Sequence, residues 1–347
     1  MNKGTISISF VAEALAEARR RGLDVAALTA RAGFSAELLG MPLARVSPQQ
    51  YGALWHVLAA ALGDEFFGMD AHPMRPGGFA ILTHAVLDAR DLRHALERAL
   101  RFFSLVLDDV SGHLSVQGGQ AALTLIDRGP PARLFAHGTL FVILHGLACW
   151  LVGRRLPIVA TSFCQPAPEH AAEYRLIFGQ ALRFEQPASR LVLDAAHLDL
   201  PLVRDRKAAQ AFLREAPANF LLKYRCRNGP TALVRGHLCR VPPADWPDFE
   251  VLAASLHTTA STLRRHLEQE GQTYQSIKDD LRRDLAVDYL CNSPSSVADI
   301  AHALGFAEHS AFHRAFRKWT GASPGEYRHQ GAASAAHAYA GRALHSS

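Results

Sequence analysis

Residues 309–318 read HSAFHRAFRK. Phe312 and Phe316 recur at helical spacing with Trp319 behind them, so these three rings are expected to pack inward. The side chains left facing outward are His309, Ser310, His313, Arg314 and Arg317. A short polar group early in a helix, followed one turn later by arginine, suits the major groove of DNA. The guanidinium pairs bidentately with guanine O6 and N7, and the hydroxyl serves a base edge or a phosphate. Lys318 lies further round, toward phosphate or solvent. A second chemistry is conceivable, because His309 and His313 are four residues apart. The stretch is not HExxH and no third ligand stands near, so no metal and no cofactor are expected.

The elements that must hold this face repeat a plan met earlier, in FEVLAASLHTTASTLRRHLEQEG at 249–271. In each copy a short helix carries an apolar–alanine pair, Leu252-Ala253 or Ile300-Ala301. A leucine follows, Leu256 or Leu304, and then a tight turn at His257-Thr258 or Gly305-Phe306. A second helix has inward pairs four apart, Leu263/Leu267 and Phe312/Phe316. That is helix-turn-helix grammar. In the first copy it leaves Ser261, Arg264, Arg265 and Glu268 outward. The intervening YQSIKDDLRRDLAVDYL predicts a helix of about 16 residues, roughly 24 Å long. With the flanking bodies added, the two reading helices can stand about one DNA turn apart, ~34 Å.

Charge bears on the same question. The 347 residues carry a formal +5, unevenly spread. Residues 204–240 hold nine basic side chains (Arg204, Arg206, Lys207, Arg214, Lys223, Arg225, Arg227, Arg235 and Arg240) against Asp205 and Glu215. Residues 241–328 are slightly acidic. Recognition there must rest on a few placed residues and not on a basic surface. The basic stretch reads as a helical linker with a solvated face.

Residues 249–328 resemble the DNA-binding domain of AraC/XylS-family bacterial transcription regulators. The signature lies in IAHALGFAEHSAFHRAFRKWTGASPGEYR: Ile300, Ala301, Gly305, Phe306, Phe312, Arg314, Phe316, Gly321, Pro324 and Tyr327 occupy its positions. The resemblance implies an all-α tandem helix-turn-helix domain of seven helices on promoter DNA. By position it transfers direct contact to Ser261, Arg264, Arg265, Ser310 and Arg314. The first copy departs from the pattern: three residues separate Leu267 from Gly271 where many members have four, and Glu268 would sit close to phosphates.

The N-terminal part reads as α+β. Capped amphipathic helices fill the first hundred residues: SPQQYGALWHVLAAAL begins with Ser47 as cap and Pro48 in first position, and Asp91 caps DLRHALERALRFFSLV. The stretch Asp24–Leu39, which opens as DVAALTARAGF with Asp24 as N-cap, imitates a helix-turn-helix but has few basic residues, so it is expected to pack. Beyond Val110 the texture changes. A hairpin around Gly118-Gly119, a long apolar helix at about 131–152 and short strands near 157–166 and 181–194 predict a small mixed α/β layer on the helical front. The apolar run at 140–152 is too short to span a membrane, which takes ~20 residues. Five scattered cysteines with no CxxC pair fit a reduced cytoplasmic protein. No dinucleotide, P-loop or GxSxG element appears, so no enzyme is expected.

Residues 9–195 resemble, in layout, the regulatory domain of a subgroup that includes ornithine- and arginine-utilisation regulators. This implies effector sensing or dimerisation without naming the effector. The expected organisation is therefore 1–203 sensing and dimerisation, 204–244 basic linker, 245–328 DNA binding and 329–347 disordered tail. The expected partners are promoter DNA, RNA polymerase, a small-molecule effector and a second copy, with no membrane. The competing reading is a constitutive DNA-binding regulator whose N-terminal domain only assembles oligomers or meets a protein partner.

Overall fold

The computed structural model describes residues 5–216, 230–269 and 272–329. The expected tail from residue 330 on, and Lys223, Arg225 and Arg227 of the basic stretch, lie outside them. In chain order the elements are β1 (Ile6–Ser7), α1 (Ile8–Ala14), α2 (Ala16–Arg20), α3 (Val25–Arg31), β2 (Arg45–Val46), α4 (Pro48–Leu62), α5 (Gly78–Leu87) and α6 (Leu92–Val106). Then come β3 (Val110–Gln117), β4 (Gln120–Asp127), α7 (Leu134–Leu151), β5 (Ile158–Ser162), α8 (Ala171–Phe178), β6 (Leu182–Arg183), β7 (Ser189–Asp194) and α9 (Arg206–Glu215). The last group is α10 (Pro230–Leu238), α11 (Phe249–Ser255), α12 (Ala260–Gln269), α13 (Tyr274–Asn292), α14 (Val297–Ala303) and α15 (His309–Thr320). They form two compact units. One holds residues 13–24 and 52–226; the other holds 1–12, 25–51 and 227–347.

The first unit is α+β. Its five-stranded sheet runs β3-β4-β7-β5-β6, antiparallel except for the β5–β6 pair. Gly118 (φ 57°) and Gly119 (φ 77°) form the two-residue turn that sets Gln117 opposite Gln120. A turn with both central residues left-handed matches strand twist, and glycine enters it without steric cost. Asp91 accepts the His94 N–H at 3.0 Å and starts α6. Helix α7 is apolar all round because it is buried all round. By length and composition alone it could cross a membrane, yet 89% of it lies inside the fold, so it is a core helix. Phe141 on α7 packs on Phe163 and Phe178, with Tyr174 alongside.

Two histidines of α7 are buried and held. His137 lies 2.8 Å from both Ser189 Oγ and Asp127 Oδ1. Burial lowers its pKa, against the pull of Asp127. His145 Nε2 donates to the Leu156 carbonyl at 2.8 Å, and burial pushes its pKa down to about 4. The neighbouring Cys149 thiol is pushed up to about 11 by burial, which makes it a small core side chain and not a nucleophile.

The second unit joins both ends of the chain. Val234 and Leu238 of α10 share one core with Leu252, Ala253, Leu263, Leu267, Ile277 and Leu281. The proline-rich VPPADWP segment, which reads as a boundary in the sequence, therefore lies within this unit. Trp246 fastens it: the indole N–H is shared between the carbonyls of Leu238 (3.0 Å) and Val241 (3.1 Å). The β1–β2 ribbon belongs to the same unit through a buried polar network. Arg45, 4% exposed, donates from Nε to Thr5 Oγ1 at 2.6 Å, and the same Nε lies 3.9 Å from Asp284 on α13. Thr5 also donates to Asp284, and Arg235 and Arg283 approach that carboxylate at 3.5 and 3.9 Å. Tyr327 is wholly buried; its hydroxyl accepts the Arg45 N–H at 2.9 Å and donates to the Arg45 carbonyl. Ser47 and Gln50 cap α4 reciprocally, at 2.8 and 3.2 Å.

Candidate nucleic-acid interface

Each helix-turn-helix is built from local rules. In the second copy, Ser296 and Asp299 form a capping box on α14: Ser296 Oγ accepts the Asp299 N–H at 3.1 Å, and Asp299 accepts the Ser296 N–H at 3.1 Å. The turn that follows bends through Gly305 at φ +75°. A Cβ there would lie 3.0 Å from both Ala244 Cα and the Pro243 carbonyl oxygen. Glycine is needed at this position twice over, for its backbone angle and for close approach of the 243–244 backbone. In the first copy the same place is taken by His257, which carries the left-handed angle (φ 55°) with a side chain. Thr259 then opens α12, accepting the Thr262 N–H at 3.2 Å.

Helix α13 joins the two helix-turn-helix copies. It has 19 residues, hence about 28 Å at 1.5 Å per residue. Its start is set by a capping box of Thr273 and Ser276. Its Arg282 is a fixed strut: Nε donates to the Leu304 carbonyl at 3.0 Å, and the guanidinium lies 5.1 Å from the Trp246 ring and 5.3 Å from the Phe306 ring. Cation–π contact on two faces holds the second helix-turn-helix against α13 and the proline-rich turn. Burial lowers the Arg282 pKa.

The outward faces carry the residues expected of them. On α12, Ser261, Arg264, Arg265 and Glu268 are exposed, while Leu263 and Leu267 are buried. Arg264 rests over the Phe249 ring at 5.4 Å. On α15, His309, Ser310, Arg314, Arg317 and Lys318 are exposed and His313 is half-buried. Phe312 and Phe316 are fully buried. Trp319, expected in the core, is half-buried and packs its ring 6.1 Å from Phe306. His309 and His313 meet with Nε2 atoms 3.2 Å apart. Desolvation and the His309 charge lower the His313 pKa. No group of three or more metal-ligating side chains comes together among the described residues.

Sequence reasoning missed one feature of the α15 face. Glu308, immediately before α15, accepts the Ser310 hydroxyl at 3.1 Å, so an acid stands beside the exposed polar face of α15. Its signal was an acidic residue at an N-cap, which the helix dipole favours. The acidity of this part of the chain also acquires a location. Asp284 is buried and Asp280 half-buried, both paired to arginines. Asp299 and Glu326 cap helices. These carboxylates serve the fold, in buried ion pairs or as helix caps.

Two helix-turn-helix copies at the ends of one connecting helix, within one unit and each with an exposed polar second helix, define a tandem helix-turn-helix protein. A family model described as a helix-turn-helix domain matches residues 252–330, and one described as the arabinose-binding domain of AraC transcription regulator, N-term, matches residues 22–202. The chain belongs to the AraC family of DNA-binding transcription regulators. It is 34% identical to the ornithine utilization regulator of Pseudomonas aeruginosa, over 88% of this chain and 91% of that one. It is 29% identical to the urease operon transcriptional activator of Escherichia coli, over 38% of this chain and 49% of that one. The solved transcriptional regulator CdpR of Pseudomonas aeruginosa is 20% identical, over 81% of this chain and 87% of that one, with a TM-score of 0.29.

Proposed function

We propose that this chain activates transcription from particular promoters in the cytoplasm in response to a small metabolite. The metabolite is sensed by the α+β unit. The observation that carries the DNA-binding half is the pair of outward faces, Ser261, Arg264 and Arg265 on α12 and Ser310 and Arg314 on α15, presented by one compact unit. Two such helices suit successive major grooves on one face of DNA. Arg314 reads a base edge, Ser310 assists it, and His309, His313 and Arg317 contact the flanking backbone. Phosphate contacts supply much of the affinity, which therefore falls steeply with salt. RNA polymerase is the partner recruited, and the working form is a homodimer. Similarity to a protein named as a urease operon activator supports the sign, and similarity to one named for ornithine utilization supports control by a nitrogenous metabolite.

A reporter driven by the promoters beside this gene, assayed with and without candidate metabolites, tests the reading. The expected result is metabolite-dependent induction that disappears with Arg314→Ala. Equal output with and without every metabolite would instead support a constitutive regulator.

A further inference from the structure

We propose that the cavity bounded by α4, α5, α7 and the end of α9 is the effector site, and that it takes a small primary amine with an apolar, ring-sized body. This rests on the reading that the α+β unit senses a metabolite. The cavity measures about 180 Å³. Its walls are the side chains of Trp55, Phe67, Met74, Phe79, Ile143 and Leu213. An apolar cavity of roughly 150 Å³ accepts a benzene ring, so this one holds a ring with a short side chain.

One wall is stiff. Trp55 and Phe67 meet edge to face at 4.9 Å. Phe67 sits at φ 56°, a conformation that L-residues rarely adopt. The surrounding loop is pinned by carboxylates: Asp64 accepts the Phe66 and Gly68 N–H groups at 2.8 and 2.6 Å. Strain held in place at a pocket wall is what a preformed binding site requires.

Charge selects the ligand. Glu65 lines the cavity, and its two oxygens accept the N–H groups of Gly77 and Phe79, each at 2.7 Å. A carboxylate has further lone pairs to offer. Among the described residues no cationic side chain pairs with Glu65, and neither lysine nor arginine lines the cavity. Among the described lining residues only His56 could offer a positive charge, and its Nε2 already faces the Ala216 carbonyl, so a carboxylate-bearing ligand, including a free amino acid, would chiefly meet the like charge of Glu65. An ammonium group neutralises Glu65 and lies among aromatic faces that favour cations.

The cavity also touches the way out of the unit. Leu213 and Ala216 line it at the end of α9, and His56 Nε2 lies 2.8 Å from the Ala216 carbonyl oxygen. The chain continues from Ala216 toward α10 of the other unit. A ligand packed against Leu213 and Ala216 stabilises the α9 terminus, and one that competes for His56 releases it. Either way occupancy is registered at the end of α9.

The test is calorimetric titration of the full-length protein with 2-phenylethylamine, 2-phenylethanol and 3-phenylpropanoate. It is repeated on Ala59→Trp and Ala80→Phe, two variants that fill the cavity from α4 and α5. The amine is expected to bind at least tenfold more tightly than the alcohol, with the carboxylate weakest. Each filling variant that keeps the wild-type circular dichroism should lose at least tenfold in amine affinity. Absence of amine binding at 10 mM or below (about the range of weak fragment binding), amine binding no tighter than the carboxylate, or unchanged binding in both folded variants would overturn the assignment. If the amine binds here yet alters neither DNA affinity nor reporter output, the site stands and metabolite control fails. If no amine binds but another metabolite shifts DNA affinity, the sensing role stands and this site does not.

Discussion

Gly305 and His257 occupy the same place in the two helix-turn-helix copies, and they should respond to substitution with opposite signs. Gly305→Ala forces a side chain into a left-handed backbone at φ +75°, which costs roughly 1–2 kcal/mol. It also sets a Cβ 3.0 Å from Ala244 Cα and the Pro243 carbonyl oxygen. Both neighbours are backbone and cannot swing aside, so overpacking adds roughly 1–3 kcal/mol. The total is about 2–5 kcal/mol, felt where α14, α15 and the 243–244 turn meet. His257→Gly relieves the same backbone strain in the first copy, where the side chain is exposed. Set against the greater freedom of glycine in the unfolded chain, the net effect lies between zero and about 1 kcal/mol of stabilisation. Hydrogen exchange read by mass spectrometry on peptides from α11–α12 and α14–α15 reports each opening free energy separately. A loss below about 1 kcal/mol for Gly305→Ala, or a clear destabilisation by His257→Gly, would refute the reasoning that one turn plan is filled in two ways.

Two further outcomes follow from the buried polar groups. Arg45→Met removes a guanidinium that is 4% exposed and leaves Asp284 to Arg235 and Arg283; urea unfolding should show a loss of about 2–4 kcal/mol, less than for a carboxylate left wholly unpaired. His145 stays neutral in the fold down to about pH 4, whereas the unfolded chain protonates it near 6.5, so the unfolded state binds more protons in between. Stability of the α+β unit should be full above pH 6.5 and fall by roughly 3 kcal/mol on the way to pH 4, and His145→Gln should flatten that fall in urea midpoints measured across the range.

What the sequence showed of this molecule was mostly local. Asp91, Ser47 and the Gly118-Gly119 pair act within a few residues of themselves, so capping and turn rules place α6, α4 and the β3–β4 hairpin. The alternation of buried and exposed positions on α12 and α15 was equally legible, because each helix buries one narrow stripe. The remainder depends on contacts between distant parts of the chain. Tyr327 and Arg45 are 282 residues apart, and nothing near either residue announces the other. The acidic balance of 241–328 suggested recognition without a basic surface. It could not show that Asp280 and Asp284 face inward to arginines, one of them, Arg235, drawn from the stretch read as a solvated linker. VPPADWP looked like a break because prolines end helices. Its packing depends on Arg282 and Gly305, which lie dozens of residues later. Likewise the cavity near Glu65 is lined from four separate segments, and no single stretch advertises it.

The central claim is that α12 and α15 read DNA together, with Arg314 on a base. Selection of binding sites by the full-length protein from a random duplex library tests this most directly, with wild type and Arg314→Ala run in parallel at the same salt concentration. The account predicts a wild-type site of two conserved elements about 10 base pairs apart. Arg314→Ala should lose preference at one position of one element, at a cost of ~1–3 kcal/mol, and keep the other element intact. A single conserved element, or an identical site recovered by both proteins, would contradict it.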